Sequence, residues 1–166
     1  FNIGIVIDIS GSTTDPFGGN PTGDVNNDGF NNTILDAEIA SILNLLQSIS
    51  ASAILDNSNV DIGLISFATD AVYHGRFSPL DTTDRNKINA VLRNKLMSLR
   101  AAGWTNFDDA LDKAVDYFKV APSNRNNLLI FISDGIPNVA GDGDGEVAPS
   151  IIPKDNQASA RVYTSE

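Results

Sequence analysis

The sequence has no cysteine, a single histidine and few basic residues. Without cysteine, neither a disulfide framework nor a cysteine-based zinc site can form. The 11 lysines and arginines are outnumbered by 21 aspartates and glutamates. The resulting net charge of -10 repels nucleic acid and anionic lipid and suits a protein that collects divalent cations. We therefore expect no nucleic-acid partner.

Long hydrophobic runs are also missing. No stretch approaches the roughly 20 apolar residues of a membrane span, so we expect no direct membrane insertion. The apolar run at the start, FNIGIVIDIS, has no basic region ahead of it. It therefore does not match a secretory signal peptide and predicts a strand instead. We expect the chain to be part of a larger multidomain protein.

The hydrophobic pattern predicts an α/β fold. Apolar residues recur at helical spacing in 33–52, 83–99 and 106–119, and strand-like runs occupy 1–8, 60–68, 71–77 and 128–134. The first and last of these runs predict strands buried on both faces. Their order predicts one domain, 1–166, with a doubly wound, mostly parallel sheet flanked by helices.

Two segments do not fit this regular alternation. The chain is rich in Gly, Asn, Asp and Thr at about 13–33, which predicts a long loop insertion. A second loop-rich segment follows the last strand at about 135–166, and its candidate strand is Arg161 to Tyr163. A sheet of this class normally continues beyond this point, so we expect its C-terminal strands to be missing.

Polar side chains stand at the ends of two predicted strands. Asp8 and Asp134 each follow an apolar run, and the loop AAGWTN brings Thr105 to the start of the third helix. Ligands bind at the carboxyl ends of strands in open α/β sheets, so neighbouring strands would carry both carboxylates to one edge. Thr105 is a candidate for capping that helix or for binding an ion. Alone, the DISGS segment favours a polar turn over a metal site.

Together these motifs resemble the von Willebrand factor type A domain and its metal-ion-dependent adhesion site. The resemblance spans residues 1 to about 138. It implies a Rossmann-like fold and a non-catalytic site for Mg²⁺, or for Ca²⁺ or Mn²⁺. Ser10, Ser12 and Thr105 would bind the ion directly or nearly so, and Asp8 and Asp134 would do so directly or through water. We call these five residues the rim site. Hard cations take such oxygen ligands.

A second motif lies inside the insertion. DVNNDGF places oxygen side chains at positions 1, 3 and 5, glycine at 6 and a carbonyl donor at 7, as an EF-hand-type calcium loop does: Asp24, Asn26, Asp28, Gly29 and Phe30. We call this segment the 24–30 loop. Position 12 is Leu35, so the closing carboxylate would come from Asp36 or Glu38. The competing interpretation is a solvated polar loop.

A third acidic run follows the last predicted strand. Asp142, Asp144 and Glu146 would offer carboxylates for another Ca²⁺, but the run is short and no helix closes it. A flexible acidic loop explains this pattern equally well.

The motifs favour a cation-dependent binding or adhesion module. By resemblance, it would take a protein or glycan ligand whose carboxylate completes the ion's shell, on the extracellular surface and from a large bacterial adhesin. One alternative is a phosphoryl-transfer hydrolase with Asp8 as nucleophile. Haloacid-dehalogenase-like phosphatases carry a second aspartate two residues on, where this sequence has Ser10. Another alternative is an intracellular scaffold domain of the same type.

Overall fold

Four strands form the central sheet of the computed structural model, which describes residues 1–51, 60–81, 84, 87–140 and 150–151. In chain order they are β1 (Asn2–Asp8), β2 (Asp61–Phe67), β3 (Ala71–Phe77) and β4 (Asn127–Ile132). Their spatial order is β3-β2-β1-β4. β1 pairs in parallel with both β2 and β4, whereas β2 and β3 are antiparallel. The predicted mostly parallel sheet is confirmed.

Helices cover both faces of this sheet. They are α1 (Ile34–Ala51), α2 (Ala90–Met97) and α3 (Phe107–Val120). Ile3, Ile5 and Ile7 of β1 belong to a core cluster with α1 and α2, whereas Val6 belongs to one with α3. Successive side chains of a strand point to opposite faces. Both faces of this uninterrupted apolar strand are therefore buried, as a doubly wound sheet requires.

Helix α1 begins with a reciprocal cap. The Thr33 hydroxyl accepts from the Asp36 N–H at 3.1 Å, and Asp36 Oδ2 accepts from the Thr33 N–H at 2.9 Å. Two donors that lack partners at a helix start are thereby satisfied. Asp36 thus has a structural role at the start of the helix.

Helix α2 is shorter than the sequence pattern predicts. It begins at Ala90 rather than near residue 83. The Asn89 side chain caps it by accepting from the N–H groups of Val91 and Leu92, at 3.0 and 3.2 Å. Ile88 instead forms an antiparallel bridge with Leu80. Ile88, which the apolar spacing places in the first turn of the helix, therefore has an extended backbone that pairs with Leu80.

Strand β4 is also less buried than predicted. The side chains of Leu128 and Leu129 are 48% and 38% exposed. In the described part of the chain β4 is the edge of the sheet, and only the short hairpin of β5 (Val139–Ala140) and β6 (Ser150–Ile151) follows it. The predicted strand at Arg161 to Tyr163 lies outside the described residues. No helix within the described ranges has the length and apolar character needed to cross a membrane.

Candidate metal centre

Three loops meet at the carboxyl ends of β1 and β4. The loop after β1 continues into a short 3-10 helix, Gly11–Thr14. The Gly11 N–H donates to the Gly103 carbonyl at 3.0 Å, which joins this loop to the segment before α3. The Asn138 N–H donates to the Thr105 carbonyl at 3.0 Å, which joins that segment to the loop after β4. Backbone hydrogen bonds therefore set the positions of all three loops.

The side chains of the rim site form a continuous row. Ser10 Oγ and Ser12 Oγ are 3.1 Å apart, and Ser12 Oγ donates to Asp134 Oδ1 at 3.0 Å. A Cβ placed on Gly135 would lie 3.7 Å from Thr105 Oγ1 and 3.8 Å from Ser12 Oγ. Gly135 thus lies beside both hydroxyls. The structure therefore brings Ser10, Ser12, Thr105 and Asp134 together as the sequence predicts.

Asp8 is the buried member of the rim site and supports this row of side chains through hydrogen bonds. Its side chain is fully buried. Oδ1 accepts from the Ser10 N–H at 2.7 Å and Oδ2 from the Ser133 hydroxyl at 2.6 Å. Burial raises the pKa of Asp8, hydrogen bonds from Ser133 and Ser10 oppose the rise, and the charge of Asp134 adds to it. With both oxygens engaged, Asp8 holds the hydroxyl loop in place and contributes negative charge beneath it.

Thr105 is not the cap of α3. That role falls to Asn106, whose side chain accepts from the Asp109 N–H at 3.3 Å and donates to the Thr69 carbonyl at 3.0 Å. The Thr105 N–H donates to Asn138 Oδ1 at 2.8 Å. Thr105 is therefore held by its backbone, and its hydroxyl lies at the rim.

The loop before Thr105 depends on a close backbone approach. Gly103 has a φ of +81°, and a Cβ there would lie 2.7 Å from Thr69 Oγ1. The same Thr69 oxygen accepts from the Trp104 N–H at 3.0 Å. The Trp104 side chain is 51% exposed and lies next to Thr105 in the chain. Glycine permits both the left-handed conformation and the contact with Thr69.

Glu38, the other candidate for closing the 24–30 loop, is a buried carboxyl group on α1. It is 7% exposed, and its Oε2 atom has no hydrogen-bond partner among the described residues. Burial, followed by the negative charges of Asp8 and Asp134, raises the pKa of Glu38 from its usual 4.5 to about 9. Both rim-site carboxylates thus disfavour the charged form of this carboxyl group.

Side-chain carboxylates and a glycine shape the turn of the 24–30 loop. Asp24 Oδ1 accepts from the Asp28 N–H and Oδ2 from the Gly29 N–H, both at 3.0 Å. Gly29 has a φ of +94°. Asp28 Oδ1 accepts from the Phe30 N–H at 2.9 Å. The first carboxylate organises the turn, and glycine supplies its left-handed corner.

Asn26 contributes a buried oxygen to this loop. It is 2% exposed; its Nδ2 donates to Asp28 Oδ2 and to the Leu99 carbonyl, both at 3.0 Å. Its Oδ1 has no hydrogen-bond partner in the described part of the chain. Buried polar atoms normally have partners, so this oxygen fits a site that takes a cation. Asp36 Oδ1 accepts from the Val25 N–H at 2.7 Å, which ties the loop to α1.

Acidic side chains alone do not define a metal site here. The described ranges contain no group of three or more His, Cys, Asp or Glu side chains arranged to hold an ion. The rim site and the 24–30 loop instead combine carboxylates with hydroxyl, amide and carbonyl oxygens, which also bind hard cations. The predicted run of Asp142, Asp144 and Glu146 lies outside the described residues.

Several contacts of the site were not anticipated. Ser133 donates a hydrogen bond to Asp8, and Asn138 accepts one from the Thr105 N–H. Thr69 accepts one from the Trp104 N–H in the loop before α3. Ser133 directly precedes Asp134, so its place next to a strand end was a usable signal. The other two contacts join residues more than 30 positions apart, and no local motif marks them.

The chain belongs to the von Willebrand factor type A domain family, whose model matches residues 3–136. No curated protein matches the chain. Among solved structures, a variant of the PilB minor pilin from Streptococcus sanguinis is similar at 19% identity and a TM-score of 0.61, covering 83% of this chain and 30% of that one.

A second similar structure is the vWF domain of the type V pili tip protein Mfa5 from Porphyromonas gingivalis. It has 19% identity and a TM-score of 0.59, covering 88% of this chain and 41% of that one. The chain thus spans less than half the length of either neighbour. These likenesses support the α/β fold.

Proposed function

We propose that this domain is a binding or adhesion module that engages its ligand through a divalent cation at the rim site. The row of Ser10, Ser12 and Asp134, in which the Ser12 hydroxyl lies 3.1 Å from Ser10 Oγ and 3.0 Å from Asp134 Oδ1, is the observation that carries this proposal. Ser10, Ser12 and Thr105 would supply hydroxyl ligands. Asp8 and Asp134 would act directly or through water. Mg²⁺ is the expected ion, with Ca²⁺ or Mn²⁺ as alternatives.

The ligand chemistry explains how such a site binds a partner. Hydroxyl groups donate electron pairs without neutralising the ion, so a coordination position held by water remains attractive to an anion. Ser12 and Asp134 are exposed, which opens this side of the site to solvent. A carboxylate from a protein or glycan would replace the water and complete the shell. The partner is therefore expected to bind through an acidic group.

The geometry does not favour phosphoryl transfer from Asp8. A nucleophilic carboxylate needs an oxygen aimed at the substrate. Both Asp8 oxygens accept hydrogen bonds, from Ser10 and Ser133, and the side chain is fully buried. This arrangement supports a non-catalytic role. Phosphatase turnover that disappears in Asp8→Asn would contradict it.

The 24–30 loop would hold a structural Ca²⁺. Three features support this assignment: both oxygens of Asp24 accept backbone hydrogen bonds, Gly29 has a positive φ, and Asn26 Oδ1 has no partner among the described residues. Asp36 is largely engaged by the cap and by Val25. We therefore propose that Glu38, water or backbone oxygens complete the shell. Millimolar extracellular calcium would fill even a weak loop.

The proposed setting is the cell surface, as part of a larger multidomain chain. The names of the structural neighbours place those proteins in pili, one as a minor pilin and one as a tip protein. A calcium loop and an acidic, cysteine-free composition agree with an extracellular adhesin. An intracellular scaffold domain would gain little from a loop that needs abundant calcium.

Calorimetric titration with Mg²⁺ and Mn²⁺ tests the proposal. Wild-type protein should bind one ion at the rim site, and Asp134→Ala should lose that binding. Asp116→Ala is the matched control, because Asp116 is an exposed aspartate whose side chain pairs with Lys119 on α3. Wild-type protein that binds neither ion would contradict the proposal, as would equal loss of binding in both variants.

A further inference from the structure

The turn at 68–70, which joins β2 to β3, packs against the loop that carries Thr105. Thr69 lies in this turn and accepts hydrogen bonds from both chain neighbours of Thr105. Its Oγ1 accepts from the Trp104 N–H and its carbonyl from the Asn106 side chain, each at 3.0 Å. The Asn106 N–H also donates to the Ala68 carbonyl at 2.9 Å. The turn therefore holds the chain on both sides of Thr105.

The same turn is attached to the first turn of α3. Asp109 is 1% exposed, and its Oδ2 accepts a hydrogen bond from the Ala71 N–H. The Asp109 N–H in turn donates to Asn106 Oδ1 at 3.3 Å. A carboxylate is a stronger acceptor than a neutral oxygen. The 68–70 turn and the start of α3 thus form one hydrogen-bonded unit.

Thr105 itself bonds to the loop after β4. Its N–H donates to Asn138 Oδ1 at 2.8 Å, and its carbonyl accepts from the Asn138 N–H at 3.0 Å. These contacts attach Thr105 to one neighbouring loop, and Thr69 attaches the residues before and after it to another. A functional side chain keeps its geometry when hydrogen bonds around it fix the backbone that carries it. The Thr105 hydroxyl is supported in this way from two directions.

The sequence leaves room for the Thr69 hydroxyl. A Cβ on Gly103 would lie 2.7 Å from Thr69 Oγ1, which is closer than two such atoms normally approach. Any side chain at position 103 would therefore displace this oxygen from the Trp104 N–H. The contact depends on the hydroxyl of Thr69 as well as on the backbone of the turn.

We propose that Thr69 is a positioning residue of the rim site, which fixes the Thr105 hydroxyl so that it can share one cation with Ser12. This inference rests on the proposed cation site and gives it a support outside the five rim-site residues. Cation binding and the order of the β2–β3 turn are then linked. Because such a linkage is reciprocal, loosening the turn weakens cation binding, and a bound cation orders the turn.

Cation affinity of Thr69→Val tests this role. Valine keeps the β-branched shape and removes the hydroxyl acceptor. Calorimetric titration with Mg²⁺ should show affinity about 10-fold weaker than wild type, as expected when a hydrogen bond that supports a ligand is lost. Thr69→Ser keeps the hydroxyl and should restore the affinity. Thr22→Val is the matched control, because the Thr22 hydroxyl has no hydrogen-bond partner among the described residues.

Amide hydrogen exchange in chelator provides a measurement that needs no cation. In Thr69→Val the Trp104 N–H should exchange faster than in wild type, whereas the amides of β1 should keep their protection. Thr69→Ser should exchange as wild type does. Equal acceleration in β1 would mean that the substitution loosens the whole fold, and would overturn the positioning role.

The outcomes separate the two proposals. Ser12→Ala identifies the part of the titration that belongs to the rim site. If Ser12→Ala loses this binding while Thr69→Val binds as wild type does, the role of Thr69 is overturned and the cation site stands. Affinity as weak in Thr69→Ser or in Thr22→Val as in Thr69→Val would also overturn it. If wild-type protein binds no cation at the rim, both proposals fall.

Discussion

The Ser12 hydroxyl donates to Asp134 Oδ1 at 3.0 Å, although 122 positions separate the two residues in the chain. The contact joins the loop after β1 to the end of β4. These two strands are parallel neighbours, with Ile7 opposite Ile132 in the register. Sheet pairing therefore brings the DISGS motif and the second aspartate to one place, and neither motif has to form the site alone.

Replacing either partner of this contact should remove cation binding without damaging the fold. Ser12 and Asp134 are both exposed. Surface substitutions usually change the free energy of unfolding by no more than about 0.5 kcal/mol. We expect Ser12→Ala and Asp134→Ala to lower Mg²⁺ affinity at least about 10-fold, measured by calorimetry. Near-wild-type affinity in both variants would exclude these side chains from the site.

Calcium should raise the melting temperature of the whole domain. A ligand at about 100 times its Kd stabilises the folded state by about 2.7 kcal/mol. For a domain of this size that corresponds to a rise of about 5–10 °C. Scanning calorimetry with Ca²⁺ and with chelator measures the difference. Identical melting curves under both conditions, and also with Mg²⁺, would contradict both metal sites.

The corner of the 24–30 loop should not tolerate a side chain. Gly29 has a φ of +94°, so Gly29→Ala is strained even though a Cβ would meet nothing within 4 Å. We expect weaker Ca²⁺ binding and faster proteolysis of the loop. Gly18→Ala is the matched control, because Gly18 also has open space around it but lacks a positive φ. Equal effects of the two variants would rule out this role for the corner.

Glu38→Gln should stabilise the metal-free protein. Because the pKa of Glu38 is raised from 4.5 to about 9, the folded state binds more protons than the unfolded state between these pH values. Wild-type stability therefore falls as pH rises through this window. Glutamine removes that penalty, on the order of 1–3 kcal/mol at neutral pH. Denaturant unfolding in chelator at several pH values measures it. A less stable variant would mean that Glu38 has a structural partner.

Much of the fold follows from local patterns in the sequence. β1 is an unbroken apolar run that ends in an aspartate, and the DISGS motif follows it. The apolar spacing of α3 predicts the burial of Ala110 and Ala114, whereas Val115, which has the same spacing, is half exposed. Where prediction was wrong, tertiary contacts had overridden the local signal. Ile88 fits a helical stripe but forms a bridge with Leu80, and Leu128 lies on an edge strand and is half exposed.

The candidate site was predictable in its motifs but not in its supports. Asp8 and Asp134 stand out because each ends an apolar run. Asn138 and Thr69 do not, since polar residues near turns are common and only the folded geometry gives these two a partner. The difference between Asp36 and Glu38 was equally hidden. Asp36 closes the helix cap, whereas Glu38 is buried and its Oε2 atom has no hydrogen-bond partner among the described residues.

The central claim is that an ion lies at the rim site, and a crystal structure grown with Mn²⁺ tests it most directly. Anomalous scattering locates the ion independently of the refined atoms. We expect a peak about 2.0–2.6 Å from the hydroxyl oxygens of Ser10 and Ser12. A peak only in the 24–30 loop, or no peak at the rim with all five residues ordered, would contradict the account.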